Sequence, residues 1–134
     1  MSEITLICET CGQPITGSQG SIYIRIGDVG AHREAERQWR EIHPVGTALD
    51  IAALALMPED IRWRTGHDAC RTDNDQDCYD IDAARISTWP RVAWWTAHLL
   101  EKNWLQDSDW DDVLRELSGE APSCRVRGDA REAA

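Results

Sequence analysis

The spacing of apolar residues changes near residue 30 and separates an N-terminal β part from helical segments. Residues 4–7 are mostly apolar, and in residues 21–26 every second residue is isoleucine. A period of two is typical of a strand with one buried face. Residues 12–20 between these stretches are rich in turn formers. We therefore predict a β-hairpin formed by the two stretches, with a pair of cysteines near its turn.

From residue 31 onward, most apolar residues recur every three or four positions, as on one face of a helix. We predict helices over residues 31–42, 47–57, 88–103 and 108–118, and short strands over residues 61–65 and 78–81. The last two helices are joined by a short connection, which is typical of a helical hairpin. Residues 48–56 are apolar on nearly every side, so we expect them to be deeply buried or to form a partner surface.

The residues after Gly119 offer few apolar side chains for a core, which predicts a flexible tail over residues 119–134. The fold class expected for residues 1–118 is α+β. In this single domain, a small β-hairpin unit packs with a mainly helical C-terminal part.

The charge and composition narrow the possible environments and ligands. The 134 residues carry a formal net charge of −10, which disfavours non-specific binding to nucleic acid. No apolar run approaches the roughly 20 residues of a membrane span. The first residues lack the basic and apolar regions of a secretory signal, so we expect a cytoplasmic protein. Thirteen arginines against one lysine suggest a GC-rich, bacterial or phage gene.

Two short motifs have the spacing of zinc ligands. Cys8 and Cys11 are separated by two residues, as are His67 and Cys70. Together they form a Cys3His set, which binds Zn²⁺ tetrahedrally and leaves no open position for substrate water. We therefore expect a structural zinc ion that stabilises the N-terminal half. Cys78 is an alternative to Cys70 or His67 as a ligand.

Two other interpretations of the cysteine pair stay open. The pair could be redox-active, although no thioredoxin-like βαβ pattern surrounds it, or it could consist of two buried small hydrophobes. The motif Cys8-x-x-Cys11-Gly12 followed by a distant His67-x-x-Cys70 resembles zinc-knuckle domains of the zinc-ribbon or treble-clef kind. That resemblance implies a zinc site. It leaves function open, because such domains bind nucleic acid or proteins, and a few are nucleases.

The favoured functional hypothesis is a non-enzymatic zinc-binding protein that acts through protein–protein contacts, as a regulator or inhibitor of a basic or nucleic-acid-associated partner. Tryptophans off the main apolar stripes and two acidic stretches supply the candidate contact residues. These are Trp94, Trp104, Asp75, Asp77 and Asp111.

Two alternatives are kept. One is a nucleic-acid-binding regulator of the zinc-finger type, which would use arginines of the first helix or of the strand at 61–65. These are Arg33, Arg37, Arg40, Arg62 and Arg64. The other is a small zinc hydrolase or nuclease, which needs an open metal position that four protein ligands would close.

Overall fold

A computed structural model describes residues 3–44, 46, 51–71 and 77–127. In chain order the strands are β1 (Thr5–Ile7), β2 (Pro14–Ile15), β3 (Gly20–Arg25), β4 (Arg64–His67), β5 (Cys78–Asp82) and β6 (Val126–Arg127). The helices are α1 (Gly27–Ile42), α2 (Ile51–Ala55), α3 (Trp89–Leu99) and α4 (Trp110–Leu117), with single 3-10 turns at Ala83–Arg85 and Leu105–Asp107. The combination of helices and antiparallel sheets confirms the α+β class.

The strands form two small antiparallel sheets. The first sheet has the order β2-β1-β6 and the second has the order β4-β3-β5. The cysteine pair lies in the turn between β1 and β2, with Leu6 opposite Ile15. The predicted hairpin of residues 4–7 with residues 21–26 is therefore wrong: β1 forms a hairpin with β2, and the isoleucine-rich β3 lies in the other sheet. Strand β3 pairs with segments more than 40 residues further along the chain.

Strand β3 is the centre of the second sheet and is buried on both faces. Its isoleucines lie in the core as the alternation predicts, and Ile22 and Ile24 are fully buried. Tyr23 on the opposite face is also buried, because the guanidinium of Arg71 covers its ring with the Arg71 Cζ atom 3.8 Å from the ring centroid. The expectation of a half-buried strand is corrected here by a cation–π contact that shields the second face.

The segment around α2 lies on the surface. Trp39 of α1 donates a hydrogen bond through Nε1 to the carbonyl oxygen of Ala53 at 3.0 Å, and this bond holds α2 near the end of α1. Large apolar side chains are nevertheless exposed on both helices and just after α2, namely Ile42, Ile51, Leu54, Leu56 and Met57. Of the two expectations for this segment, deep burial is wrong for its described residues. Residues 47–50 of the predicted helix lie outside the described part of the chain.

The C-terminal helices pack around a tryptophan cluster. Thr88 caps α3, as predicted, by accepting a hydrogen bond from the Arg91 amide at 3.4 Å. Trp63 is fully buried, and the ring centroids of Trp104 and Trp110 lie 6.0 and 5.0 Å from its own. Trp rings thus fill the core of a chain that has no Phe. Among the described residues, no helix is long and apolar enough to cross a membrane.

The packed part of the chain extends beyond residue 118. Gly119 ends α4 with a φ of +81°, as expected for a C-terminal stop. The chain then returns to β1, where Val126 lies opposite Leu6 and is buried. Part of the segment that we expected to be a flexible tail is therefore a strand of the first sheet. Residues 128–134 lie outside the described part of the chain.

Candidate metal centre

The turn between β1 and β2 presents the first two cysteines. Cys8 is fully buried and Cys11 is exposed. The Cys8 amide donates to the Gln13 carbonyl at 2.9 Å, and the Gly12 amide donates to the Cys8 carbonyl at 2.8 Å. Gly12 has a φ of +74°, a left-handed conformation that favours glycine. The sequence Cys-x-x-Cys-Gly therefore closes a tight loop that places both sulfurs on one side.

The second pair lies at the end of β4. His67 is the last residue of that strand, and the Cys70 amide donates to its carbonyl at 2.9 Å. Glu9 connects β4 to β1, because its backbone amide donates to the Thr65 carbonyl at 3.1 Å and its carboxylate accepts from the Thr65 amide at 3.0 Å. These bonds between the two sheets bring the second pair to the first.

The four predicted ligands meet at one point. One ligand atom from each of Cys8, Cys11, His67 and Cys70 lies within 4.8 Å of all the others. The His67 Nδ1 atom is 3.4 Å from the Cys11 sulfur and 3.9 Å from the Cys70 sulfur. Ligand distances typical of tetrahedral zinc place such an N–S pair about 3.6 Å apart. The cluster is therefore close enough to hold a metal ion.

His67 is oriented by its second ring nitrogen. Its Nε2 atom lies 3.1 Å from the carbonyl oxygen of Pro14, which can only accept a hydrogen bond. This contact favours the tautomer with the proton on Nε2 and leaves the lone pair of Nδ1 directed at the sulfurs. Histidines that bind metals are commonly fixed in this way by a backbone carbonyl.

The thiols have contrasting electrostatics. Burial raises the pKa of Cys8, but backbone amides of His67, Cys11 and Thr10 donate to its sulfur and together bring the pKa down to about 6. Burial and the neighbouring Cys8 and Cys11 sulfurs raise the pKa of Cys70 to about 11. The cluster thus favours the thiolate of Cys8 and disfavours ionisation of Cys70. A bound cation would offset the repulsion between the thiolates.

The remaining described cysteines lie outside this cluster. Cys78 begins β5 opposite Arg25 and is not among the described residues close enough to share an ion with the other three cysteines or His67. Cys124 lies near the first sheet, with its sulfur 3.8 Å from a carboxylate oxygen of Glu9. The alternative ligand set that includes Cys78 is therefore not the one that the fold assembles.

The predicted contact residues have different surroundings. Trp94 is 60% exposed and stacks on His98 with ring centroids 5.2 Å apart. Trp104 is only 9% exposed, so the expectation that it contacts a partner is corrected: its ring packs in the tryptophan cluster. Asp111 is exposed and paired with Arg115 at 3.1 Å. Asp77 is exposed, whereas Asp75 lies outside the described residues.

Four of the five arginines of the nucleic-acid hypothesis are paired with carboxylates. Arg37 contacts Glu34 at 2.5 Å and also binds Glu41. Arg33 and Arg40 contact Asp107 and Glu36 at 3.4 and 3.7 Å. Arg62 is 2.5 Å from Glu9. These pairs reduce the positive potential that a phosphate backbone requires.

A buried ion cluster was not predicted from the sequence. Arg125, 3% exposed, donates through Nη1 to Asp109 at 2.8 Å and to the Trp63 carbonyl at 2.8 Å, and its other terminal nitrogen binds Glu116. The second oxygen of Asp109 accepts from the Trp63 amide at 2.8 Å. These contacts join the chain end to α4 and the core. The sequence offers no local signal for them, because the three charged residues have no motif spacing.

Comparisons with known proteins add no information on the candidate centre. No protein-family model matches the chain, and neither the curated proteins nor the solved structures gave a significant match. The geometry therefore supports one coarse statement: the chain has a Cys3His cluster suited to a metal ion.

Proposed function

We propose that the chain is a zinc-stabilised, non-catalytic binding protein that acts through contacts with a protein partner. The observation that carries this proposal is the Cys3His cluster of Cys8, Cys11, His67 and Cys70. Three soft thiolates and one imidazole favour Zn²⁺ over Mg²⁺ or Ca²⁺. All five cysteines are free. Because thiols stay reduced in the cytoplasm, we place the protein there.

The bound ion would have a structural role. Its ligands come from the β1–β2 turn of the first sheet and from the end of β4 in the second sheet, so zinc would link the two three-stranded sheets. Four protein ligands complete a tetrahedral shell and leave no site for an attacking water. This count favours a binding protein over the hydrolase alternative.

Metal removal tests this role. Structural zinc contributes about 10–16 kcal/mol of apparent binding free energy in small domains, and this energy is coupled to folding. We expect a strong chelator at pH 7 to remove one zinc and to lower the melting temperature, with loss of the near-ultraviolet signal of the tryptophan cluster. Readdition of zinc should restore both. An unchanged melting curve after complete zinc removal would contradict the structural role.

Two exposed surfaces support the partner contact. The first consists of apolar residues 51–57, where Ile51 is 86% exposed and Leu56 is 72% exposed. Exposed large apolar side chains grouped in one segment are typical of interaction sites. The second is a 340 Å³ groove beside Trp94 and Trp95, bordered by Arg85 and Arg91. Tryptophan and arginine are enriched among residues that dominate binding energy.

A binding experiment with matched variants tests the partner class. Zinc-loaded protein is used as bait for the source proteome, in parallel with the L56S and W94A variants. We expect a specific protein to be retained by the wild type and lost from at least one variant. A short single-stranded oligonucleotide is tested separately, because Trp and Arg side chains can also stack bases. Oligonucleotide binding that depends on Trp94, without any protein partner, would replace the proposal by the nucleic-acid alternative.

A further inference from the structure

A second cluster of ligand-type side chains lies outside the Cys3His centre. His32 and Glu36 are four residues apart on α1 and therefore share one face of the helix. Asp107, from the 3-10 turn Leu105–Asp107, reaches the same point. One ligand atom from each of the three lies within 4.8 Å of the others.

The three side chains lie close together, but His32 forms no hydrogen bond with either carboxylate. The Nε2 atom of His32 lies 3.9 Å from Glu36 Oε2 and 3.9 Å from Asp107 Oδ1, beyond hydrogen-bond distance. The side chain of His32 is 7% exposed and that of Asp107 is 17% exposed. A divalent ion about 2.1 Å from each atom would need separations of about 3.0–3.4 Å. Rotations of the three side chains would have to supply that contraction.

Each carboxylate is oriented by an arginine through its other oxygen. Arg33 donates through Nε to Asp107 Oδ2 at 3.4 Å, and Arg40 lies 3.7 Å from Glu36 Oε1. The oxygens that face His32 are therefore Oδ1 of Asp107 and Oε2 of Glu36. Partners of this kind, which hold ligands without touching the ion, are a regular feature of metal sites.

The backbone on both sides of the cluster is anchored. Arg33 also donates to the Asn103 carbonyl at 3.0 Å, which fixes α1 against the turn that carries Asp107. The Ile61 amide donates to the Asp107 carbonyl at 2.8 Å. Neighbours of Asp107, including Gln106 and Ser108, line a cavity of about 510 Å³. The cluster therefore joins two elements whose backbones are fixed by hydrogen bonds.

We propose that His32, Glu36 and Asp107 form a second metal site, selective for a divalent first-row transition ion such as Mn²⁺, Fe²⁺, Co²⁺ or Zn²⁺. One imidazole and two carboxylates suit these ions, and the imidazole disfavours Ca²⁺ and Mg²⁺. Three protein ligands leave coordination positions for water or a small ligand, unlike the Cys3His set. The site does not depend on the function proposed above.

Manganese binding gives a direct test, because Mn²⁺ prefers oxygen and nitrogen donors over the thiolates of the first cluster. Full-length protein carrying one zinc is titrated with Mn²⁺, and free Mn²⁺ is followed by electron paramagnetic resonance. We expect one saturable Mn²⁺ site. The zinc content and the near-ultraviolet signal of the same sample are measured first, so that a missing Mn²⁺ site in folded, zinc-loaded protein is distinguished from a failure of the Cys3His centre.

Matched variants identify the ligands. E36Q and E34Q remove the same charge from the same helix, two residues apart, but Glu34 contacts Arg37 and Gln38 instead of His32. We expect E36Q, H32Q and D107N to weaken Mn²⁺ binding at least about tenfold, since even partners outside the ligand set typically contribute 10–100-fold. E34Q should bind as the wild type does. Absence of saturable binding in the wild type, or equal binding by E36Q and E34Q, would overturn the proposal.

Discussion

The Nε2 atom of His67 lies 3.1 Å from the carbonyl oxygen of Pro14, across the space between β4 and β2. This contact determines which ring nitrogen faces the three sulfurs, because a carbonyl oxygen accepts a hydrogen bond and cannot donate one. It also connects the metal cluster to both sheets. The orientation of one imidazole thus follows from the pairing of β2 with β1, which sets the position of the Pro14 carbonyl.

Replacing His67 tests its role as a ligand. We expect H67C to retain one zinc per chain, because a set of four thiolates is also a standard tetrahedral site. H67A leaves three thiolates and should bind zinc at least about tenfold more weakly, given the effect of even outer partners. Competition with a chromophoric chelator measures both affinities. Equal affinities of H67A and the wild type would exclude His67 from the ligand set.

The sequence leaves Cys70 and Cys78 as alternative ligands, and the choice between them gives a second prediction. C70S should lose zinc and melt at a lower temperature, because it removes one of the four clustered ligands. C78S is the matched control: the same substitution on β5, outside the cluster, should leave the zinc content at the wild-type level. Elemental analysis of the purified variants decides between them. The reverse result, zinc lost from C78S and kept by C70S, would favour the ligand set that the fold does not assemble.

The cluster and several element boundaries could be predicted because their signals are local. Two residues between ligands, a glycine after Cys11 and a capping Thr88 each act within one turn of chain. The choice between Cys70 and Cys78 is different, because it depends on the pairing of β5 with β3, a contact between residues far apart in the sequence. Nothing in the spacing of the cysteines reports that register.

Long-range pairing also explains the errors. The alternation in β3 describes a strand but not its partners, so the pattern predicts a hairpin of β1 and β3 where the fold has one of β1 and β2. Val126 is a lone apolar residue between two arginines, and its burial depends on the pairing of β6 with β1. The His32–Glu36 spacing of four residues was a usable signal, but the third member, Asp107, is 71 residues further along the chain than Glu36.

Arg125 gives a prediction for the chain end. R125M removes the cation that Asp109 and Glu116 share and leaves two buried carboxylates without it. Breaking a buried pair in this way typically costs about 3–5 kcal/mol. Denaturant unfolding of zinc-loaded protein measures the loss. The triple variant R125M/D109N/E116Q should recover part of it, because it removes the unpaired charges. A change below about 0.5 kcal/mol for R125M would show that the ion cluster around Arg125 does not stabilise the fold.

Replacing each of the two tryptophans predicted as contact residues should have different effects on the free energy of unfolding. W104A empties a site beside Trp63 in the core and should cost about 3–5 kcal/mol. W94A alters an exposed side chain and should change the free energy of unfolding by less than about 0.5 kcal/mol. Thermal and denaturant unfolding of both variants provide the comparison. Similar losses in the two variants would contradict their different burial.

Acid sensitivity follows from the carboxylates around Arg125. Burial opposes ionisation of Glu116, but hydrogen bonds from Arg125 and Ser123 lower its pKa below the ordinary value of 4.5. Its contribution to stability is therefore present in full above pH 4.5 and is lost as the pH falls through the folded-state pKa. Burial raises the pKa of Asp109 in the fold. The stability contributed by this group therefore changes in the opposite direction: it decreases as the pH rises, because the fold disfavours the ionised carboxylate.

Comparing each variant with the wild type separates the effect of one carboxylate from the loss of zinc in acid, because zinc loss affects all of these proteins. We expect the free energy of unfolding of E116Q to fall less steeply below pH 4.5 than that of the wild type, because the group whose protonation is unfavourable in the fold is gone. D109N should fall more steeply, since it removes the group that favours the protonated fold. Urea unfolding at several pH values between 3 and 7 measures both. Parallel curves for the wild type and E116Q would mean that Glu116 has the same pKa in the folded and unfolded chain, which would contradict its pairing with Arg125.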